Sequence, residues 1–136
     1  MALNRRYLLK AKRRLETARL ALERGFVCSA VSNCYYALFN AMQSVVGKPP
    51  KGSWTHGGLP KVFSKVAFQK KLLQPEEIRR IVELAYGLYV LRKRADYEDV
   101  LLEKVEAKDY AEEYFSAVER LINFLEELPD GDSDEP

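Results

Sequence analysis

Apolar residues recur along this chain at steps of three and four, the spacing that puts them on one face of an α-helix. Leu8, Ala11, Leu15, Ala18 and Leu22 make the first such stripe and predict a helix over about Leu3–Arg24. Gly25 is its natural stop, because glycine adopts the left-handed conformation that closes a helix. A second helix is predicted from about Val27 to Val46, ended by Gly47 and Pro49-Pro50. Residues 47–60, dense in Gly and Pro, read as a loop. Pro60 can then open a short helix through Val62, Phe63, Val66 and Ala67. Pro75 with Glu76 and Glu77 marks another first turn, with its acids at the positive end of the helix dipole. That helix carries Ile78, Ile81, Val82, Ala85, Leu88 and Tyr89 and is expected to reach about Lys93. Residues 95–106 read as a polar connection. A last helix over about Lys108–Leu128 carries Tyr114, Val118, Leu121, Ile122 and Leu125, and Pro129 ends it. With no alternating strand pattern in competition, the fold class is all-α and the architecture a bundle. Residues 1–128 form one helical domain, and residues 129–136 are expected to be a disordered acidic tail.

Residues 25–47 carry no charge, which is long enough to cross a membrane. Ser29, Ser32, Asn33, Asn40, Gln43 and Ser44 interrupt the run, so it reads as the most buried helix of the bundle, with no membrane role. No charge-free apolar run follows the start Met-Ala-Leu-Asn-Arg-Arg-Tyr, so no signal peptide is read and a cytoplasmic location is expected. At 136 residues the chain can bury a core without disulfides or metal. Cys28 and Cys34 are six apart on one helix, a spacing that points them different ways and leaves them reduced. A single histidine argues against a Cys/His zinc site. Neither a phosphate-cradling glycine loop nor a nucleophile elbow is present. No metal and no cofactor is expected.

The net charge of +2 hides an uneven distribution. Residues 126–136 hold six acids and no base, which leaves the rest of the chain with 22 bases and 14 acids. Arg5, Arg6, Lys10, Lys12, Arg13, Arg14 and Arg19 crowd the first helix, and residues 48–71 hold six lysines and no acid. Such a surplus suits a phosphate backbone, an acidic partner, or only a solvated face.

In the second helix, Ser32-Asn33-Cys34-Tyr35-Tyr36-Ala37-Leu38-Phe39-Asn40-Ala41 has the form S-x-x-Y-Y-A-x-F-x-A. Ala18-x3-Leu22-x2-Gly25-Phe26 precedes it, His56-Gly57 with Phe63 follows, and Arg92-x3-Asp96-Tyr97 has the form R-x-x-x-D-Y. Taken in this order, the motifs resemble a small-protein branch of the HEPN superfamily (higher eukaryotes and prokaryotes nucleotide-binding), over about residues 5–125. The resemblance implies an antiparallel four-to-five-helix, up-and-down bundle, usually a homodimer, of bacterial or archaeal origin. It implies a partnership with a minimal nucleotidyltransferase, and it includes relatives that are RNA-cutting toxins.

HEPN ribonucleases use R-x(4–6)-H, in which Arg holds phosphate and His moves a proton near neutrality. That motif is absent here: the only histidine is His56, and no Arg lies between residues 25 and 78. Asp96 stands where a proton donor would be needed, and an ionised carboxylate repels phosphate. Asn40, where relatives often have His, removes another titrating group. The candidate functional cluster is therefore Arg92, Asp96 and Tyr97, equally readable as an ion pair closing a helix. His56 and Lys51, in the glycine-rich loop, are second-tier candidates for ligand or nucleic-acid binding. Ser32, Tyr35, Tyr36 and Phe39 read as core or dimer packing, with base stacking as the functional alternative. The expected function is a non-catalytic, dimeric component that binds nucleotide, RNA or a nucleotidyltransferase partner. A metal-independent ribonuclease with a divergent site and a structural helical adaptor are the alternatives.

Overall fold

The computed structural model describes residues 3–97 and 105–129; the side chains of 96–97 and 105–111 lie outside that description. Five helices follow in order: α1 Arg5–Glu23, α2 Val27–Val46, α3 Gly58–Gln69, α4 Pro75–Tyr97 and α5 Val105–Glu126. Among the described residues there is no strand. The expected acidic tail lies outside the described residues from 130 onward.

Local chemistry explains most of the boundaries. The Asn4 side chain accepts from the backbone N–H of Arg6 and Tyr7, so α1 starts at Arg5, two residues after the sequence-based start. At its end Gly25 has φ +81°, and the N–H groups of Gly25 and Phe26 return to Leu22 and Ala21. This is the two-bond closure that glycine permits. Lys71, at φ +54°, performs the same closure after α3 without glycine's freedom. The α3 helix begins at Gly58, ahead of Pro60, because the Thr55 hydroxyl accepts from the Gly58 N–H at 2.8 Å and the Thr55 carbonyl takes Leu59. The α4 helix continues past Lys93 to Tyr97, since Ala95 is buried against Val31 of α2.

Helix α1 runs antiparallel to both α2 and α5. The Asn4 N–H donates to Ser44 O where α1 begins and α2 ends, while the Gly25 turn joins their other ends. Arg5 meets the Leu128 carbonyl, Lys12 meets Glu126 and Arg19 meets Glu119, so α1 and α5 also run opposite ways. The uncharged α2 lies at the centre, touching α1, α3, α4 and α5. It is buried on nearly every side, with Asn40 and Ser44 satisfied by Gln43 and the Ala41 carbonyl. No helix of the described residues is long and apolar enough to cross a membrane. Cys34 is buried and Cys28 half-buried, and neither is in a disulfide. Burial pushes the Cys34 thiol far up, which leaves it protonated and inert.

Candidate functional site

One face of α2 presents Tyr35, Tyr36 and Phe39, and three other elements converge on it. The loop before α3 supplies His56. Its path is set by two bonds: Trp54 Nε1–H donates to the Gly47 carbonyl at 2.8 Å, and the Thr55 hydroxyl caps Gly58. A side chain at position 58 would put its Cβ 2.6 Å from that hydroxyl oxygen, so the turn requires glycine. Helix α4 supplies Tyr89, Arg92 and Lys93 from one stretch of its surface, and α1 supplies Arg14.

The rings form a connected cluster. His56 lies 5.5 Å from Tyr35, 5.6 Å from Phe39 and 5.2 Å from Tyr89, centroid to centroid. Tyr35 and Tyr36 meet edge to face at 5.3 Å. Beside the His56 ring opens a cleft of about 280 Å³, lined by Tyr35, Phe39, Met42, Tyr86 and Tyr89 among others. Positive charge gathers around the same rings. The Arg92 guanidinium lies 5.5 Å from the Tyr35 centroid and 5.1 Å from that of Tyr36. Arg14 lies 5.4 Å from Tyr36, and the Lys93 ammonium 5.2 Å from Tyr89. Each such cation–ring contact contributes about 0.5–2 kcal/mol, more when desolvated.

The Tyr35 hydroxyl and His56 Nδ1 are 2.5 Å apart. Burial raises the Tyr35 hydroxyl well above its ordinary value, so it keeps its proton. Burial, and then Arg92 and Lys93, hold the His56 imidazole below its ordinary value, so it is neutral near pH 7. Tyr35 is only 3% exposed, and a buried hydroxyl must place its proton on an acceptor. We therefore assign Tyr35 O–H as donor to Nδ1, which leaves the second proton site, Nε2–H, as a donor. The arrangement offers an aromatic cleft walled by mutually tilted rings, one neutral N–H donor, and cations nearby.

The sequence-based candidates divide as follows. Arg92 and His56 come together through Tyr35. Tyr35 and Phe39 are both core and cleft wall, Tyr36 is half-buried between two arginines, and Ser32 is half-buried one turn before it. Asp96 and Tyr97 sit in the last turn of α4, but their side chains lie outside the described residues. Lys51 is exposed, and among the described residues no contact joins it to His56. Sequence reasoning missed Arg14, Tyr86 and Lys93, and assigned Tyr89 only to the core. The spacing of Tyr89, Arg92 and Lys93, three and four apart, already places them on one helix face. Among the described residues no cluster of metal-binding side chains occurs.

An all-α bundle with a central uncharged helix fits the resemblance drawn from the motifs. A model of the HEPN domain matches residues 5–128. The chain belongs to the HEPN family. A search of curated proteins finds no match. Within this HEPN domain an arginine and a histidine both contact Tyr35, from different elements: Arg92 from α4 and His56 from the loop before α3.

Proposed function

We propose that this HEPN protein is a homodimeric binding component that holds a nucleotide or an RNA end without cutting it, and that its partner is a nucleotidyltransferase in a two-component, toxin–antitoxin-like pair. A cytoplasmic location in a bacterium or archaeon belongs to the same reading. The partner, the pairing and the dimer rest on the family resemblance. The ligand rests on one observation: Arg92 stacked over Tyr35 and Tyr36 beside a neutral His56 at an aromatic cleft. Aromatic rings accept a base by stacking, His56 Nε2–H can donate to a base carbonyl, and the cations suit the phosphate.

The same contact favours binding over cleavage. With Nδ1 occupied by Tyr35 and Nε2 protonated, the neutral imidazole has no lone pair to take a proton from a ribose hydroxyl. A second reading has one observation in its favour. Arg92 and His56 share Tyr35, so the two residue types of a metal-independent ribonuclease are neighbours in space.

Titration with adenosine and uridine monophosphates, followed by fluorescence of the single tryptophan, Trp54, tests the binding reading. Arg92→Ala and Tyr89→Ala are each expected to weaken binding by about fivefold to a hundredfold, since stacking alone is worth about 1–3 kcal/mol per base. RNA incubated with the protein and a chelator is expected to stay intact. Cleavage that Arg92→Ala and His56→Ala both abolish would establish the ribonuclease reading instead. Co-purification with the product of an adjacent nucleotidyltransferase gene tests the partnership.

A further inference from the structure

Six of the seven bases of α1 fall into two groups with different fates, and the seventh, Arg13, is exposed beside the face of Arg6. Those facing α5 have partners on it or just beyond its end: Lys12 pairs with Glu126 at 2.9 Å, Arg19 with Glu119 at 2.8 Å, and Arg5 donates to the Leu128 carbonyl. Arg6, Lys10 and Arg14 lie on another face, four residues apart, and all three are exposed. Among the described residues none of them meets a carboxylate at salt-bridge distance.

This stripe has two defined ends. At one end Arg6 and Lys10 line a cleft of about 520 Å³ with Asn4, Tyr7 and Lys48, which lies just beyond the end of α2. Lys10 rests on the Tyr7 ring at 5.9 Å, and the first turn of α1 contains no acid. At the other end Arg14 lies over Tyr36, whose ring also carries Arg92 of the aromatic site. The cations therefore run from the Lys48 cleft along α1 to Arg92. Residues four apart climb about 6 Å along a helix and turn about 40° about its axis, so the stripe winds gently around α1. That step is comparable to the reach between successive phosphates of an extended single strand. A duplex, with its terminal bases paired and stacked, has no free base to place in the cleft.

We infer that Arg6, Lys10, Arg14 and Lys48 track the backbone phosphates of a single-stranded polynucleotide whose terminal base occupies the aromatic cleft. The inference rests on the proposed reading of that cleft and extends it from a nucleotide to a strand. Phosphates set position along the stripe and carry no sequence information, so binding depends strongly on salt and weakly on sequence.

The test is fluorescence anisotropy of the full chain with a labelled 12-nucleotide single strand, as RNA and as DNA, over a range of salt. The double variant Arg6→Gln/Lys10→Gln is expected to weaken binding about tenfold. It should also lower the slope of log affinity against log salt by about 1.4, or roughly 0.7 for each lost contact. Lys61→Gln/Lys65→Gln makes the same change in charge at exposed positions of α3 and is expected to leave both quantities unchanged. Mononucleotide binding, read from Trp54, should be unaffected by either pair. RNA binding better than DNA would assign the strand to RNA, and equal binding would leave the track general for single strands; both support the inference. Equal losses in the two double variants, an unchanged slope in the first, or equal affinity for a duplex would each overturn it. So would polyglutamate of matched charge competing as well as the strand, which would make the stripe a docking face for an acidic protein. If mononucleotides fail to bind while the strand binds with the stripe-dependent slope, the cleft reading fails and the track stands.

Discussion

His56 shows how a side chain with an unremarkable sequence context acquires a definite chemical state. In an exposed loop it would titrate near its ordinary value of 6.5. Here burial and the two nearby cations hold it lower, and the buried Tyr35 hydroxyl depends on its Nδ1. The consequence for stability has a fixed sign. Above pH 6.5 the imidazole is neutral both folded and unfolded, so it adds no pH dependence. As pH falls below that value the unfolded chain takes up the proton first, and folding is progressively disfavoured until the folded value is passed. Urea unfolding at pH 7.5 and 5.5 should show the wild type losing stability at the lower pH. His56→Gln, which keeps an acceptor for Tyr35, should lose less over the same interval; an equal loss would remove His56 as the source.

At this scale the sequence was half legible. Arg92 and His56 were both singled out, but as members of different clusters. Nothing in a linear pattern announces that α2 carries Tyr35 between them, because the meeting depends on how α3 and α4 pack across that helix. Tyr36 reads from sequence as core or dimer packing, and what that pattern does not announce is the flanking of its ring by Arg14 and Arg92 of its own chain.

Among the elements, α4 gives the sharpest case of a residue whose reason appears only in three dimensions. Gly87 lies inside a helix, where glycine costs about 1 kcal/mol relative to alanine. The pattern of apolar positions passes over it. In the structure a Cβ at position 87 would lie 2.6 Å from the Tyr114 hydroxyl oxygen of α5, so the absent side chain is what lets the ring approach. Tyr114 is rigid beyond its second torsion, so the ring must swing to make room. Gly87→Ala is expected to destabilise by about 1–3 kcal/mol, as overpacking does, in spite of the gain in helix propensity. In a Tyr114→Phe background the nearest ring atom is at 3.3 Å and the loss should shrink, giving a coupling of at least about 1 kcal/mol in a denaturation double-mutant cycle. Element type and order were legible throughout, because amphipathic spacing is a local property. Boundaries shifted where a tertiary contact decided them, as Ala95 on Val31 did for α4.

For the whole molecule, the governing fact is that one apolar interior is shared by all five helices. Leu15 of α1, Leu38 of α2, Phe63 of α3, Leu88 of α4 and Phe115 of α5 belong to the same buried cluster, against which Trp54 of the site loop also packs. No helix can leave without opening that interior, so the loop that carries His56 should report the same event as the helices. Far-UV circular dichroism and Trp54 fluorescence are expected to give superimposable unfolding transitions. Phe63 makes the stronger test, since α3 is short and sits at the edge of the bundle, where independent fraying would show first. Its side chain is fully buried, and Phe63→Ala should cost about 3–5 kcal/mol. If α3 is part of the single cooperative unit, both signals move to lower denaturant together. If the fluorescence transition moves ahead of the dichroism, α3 and the His56 loop open as a separate unit. The aromatic site would then be assembled by a local equilibrium rather than by the fold as a whole.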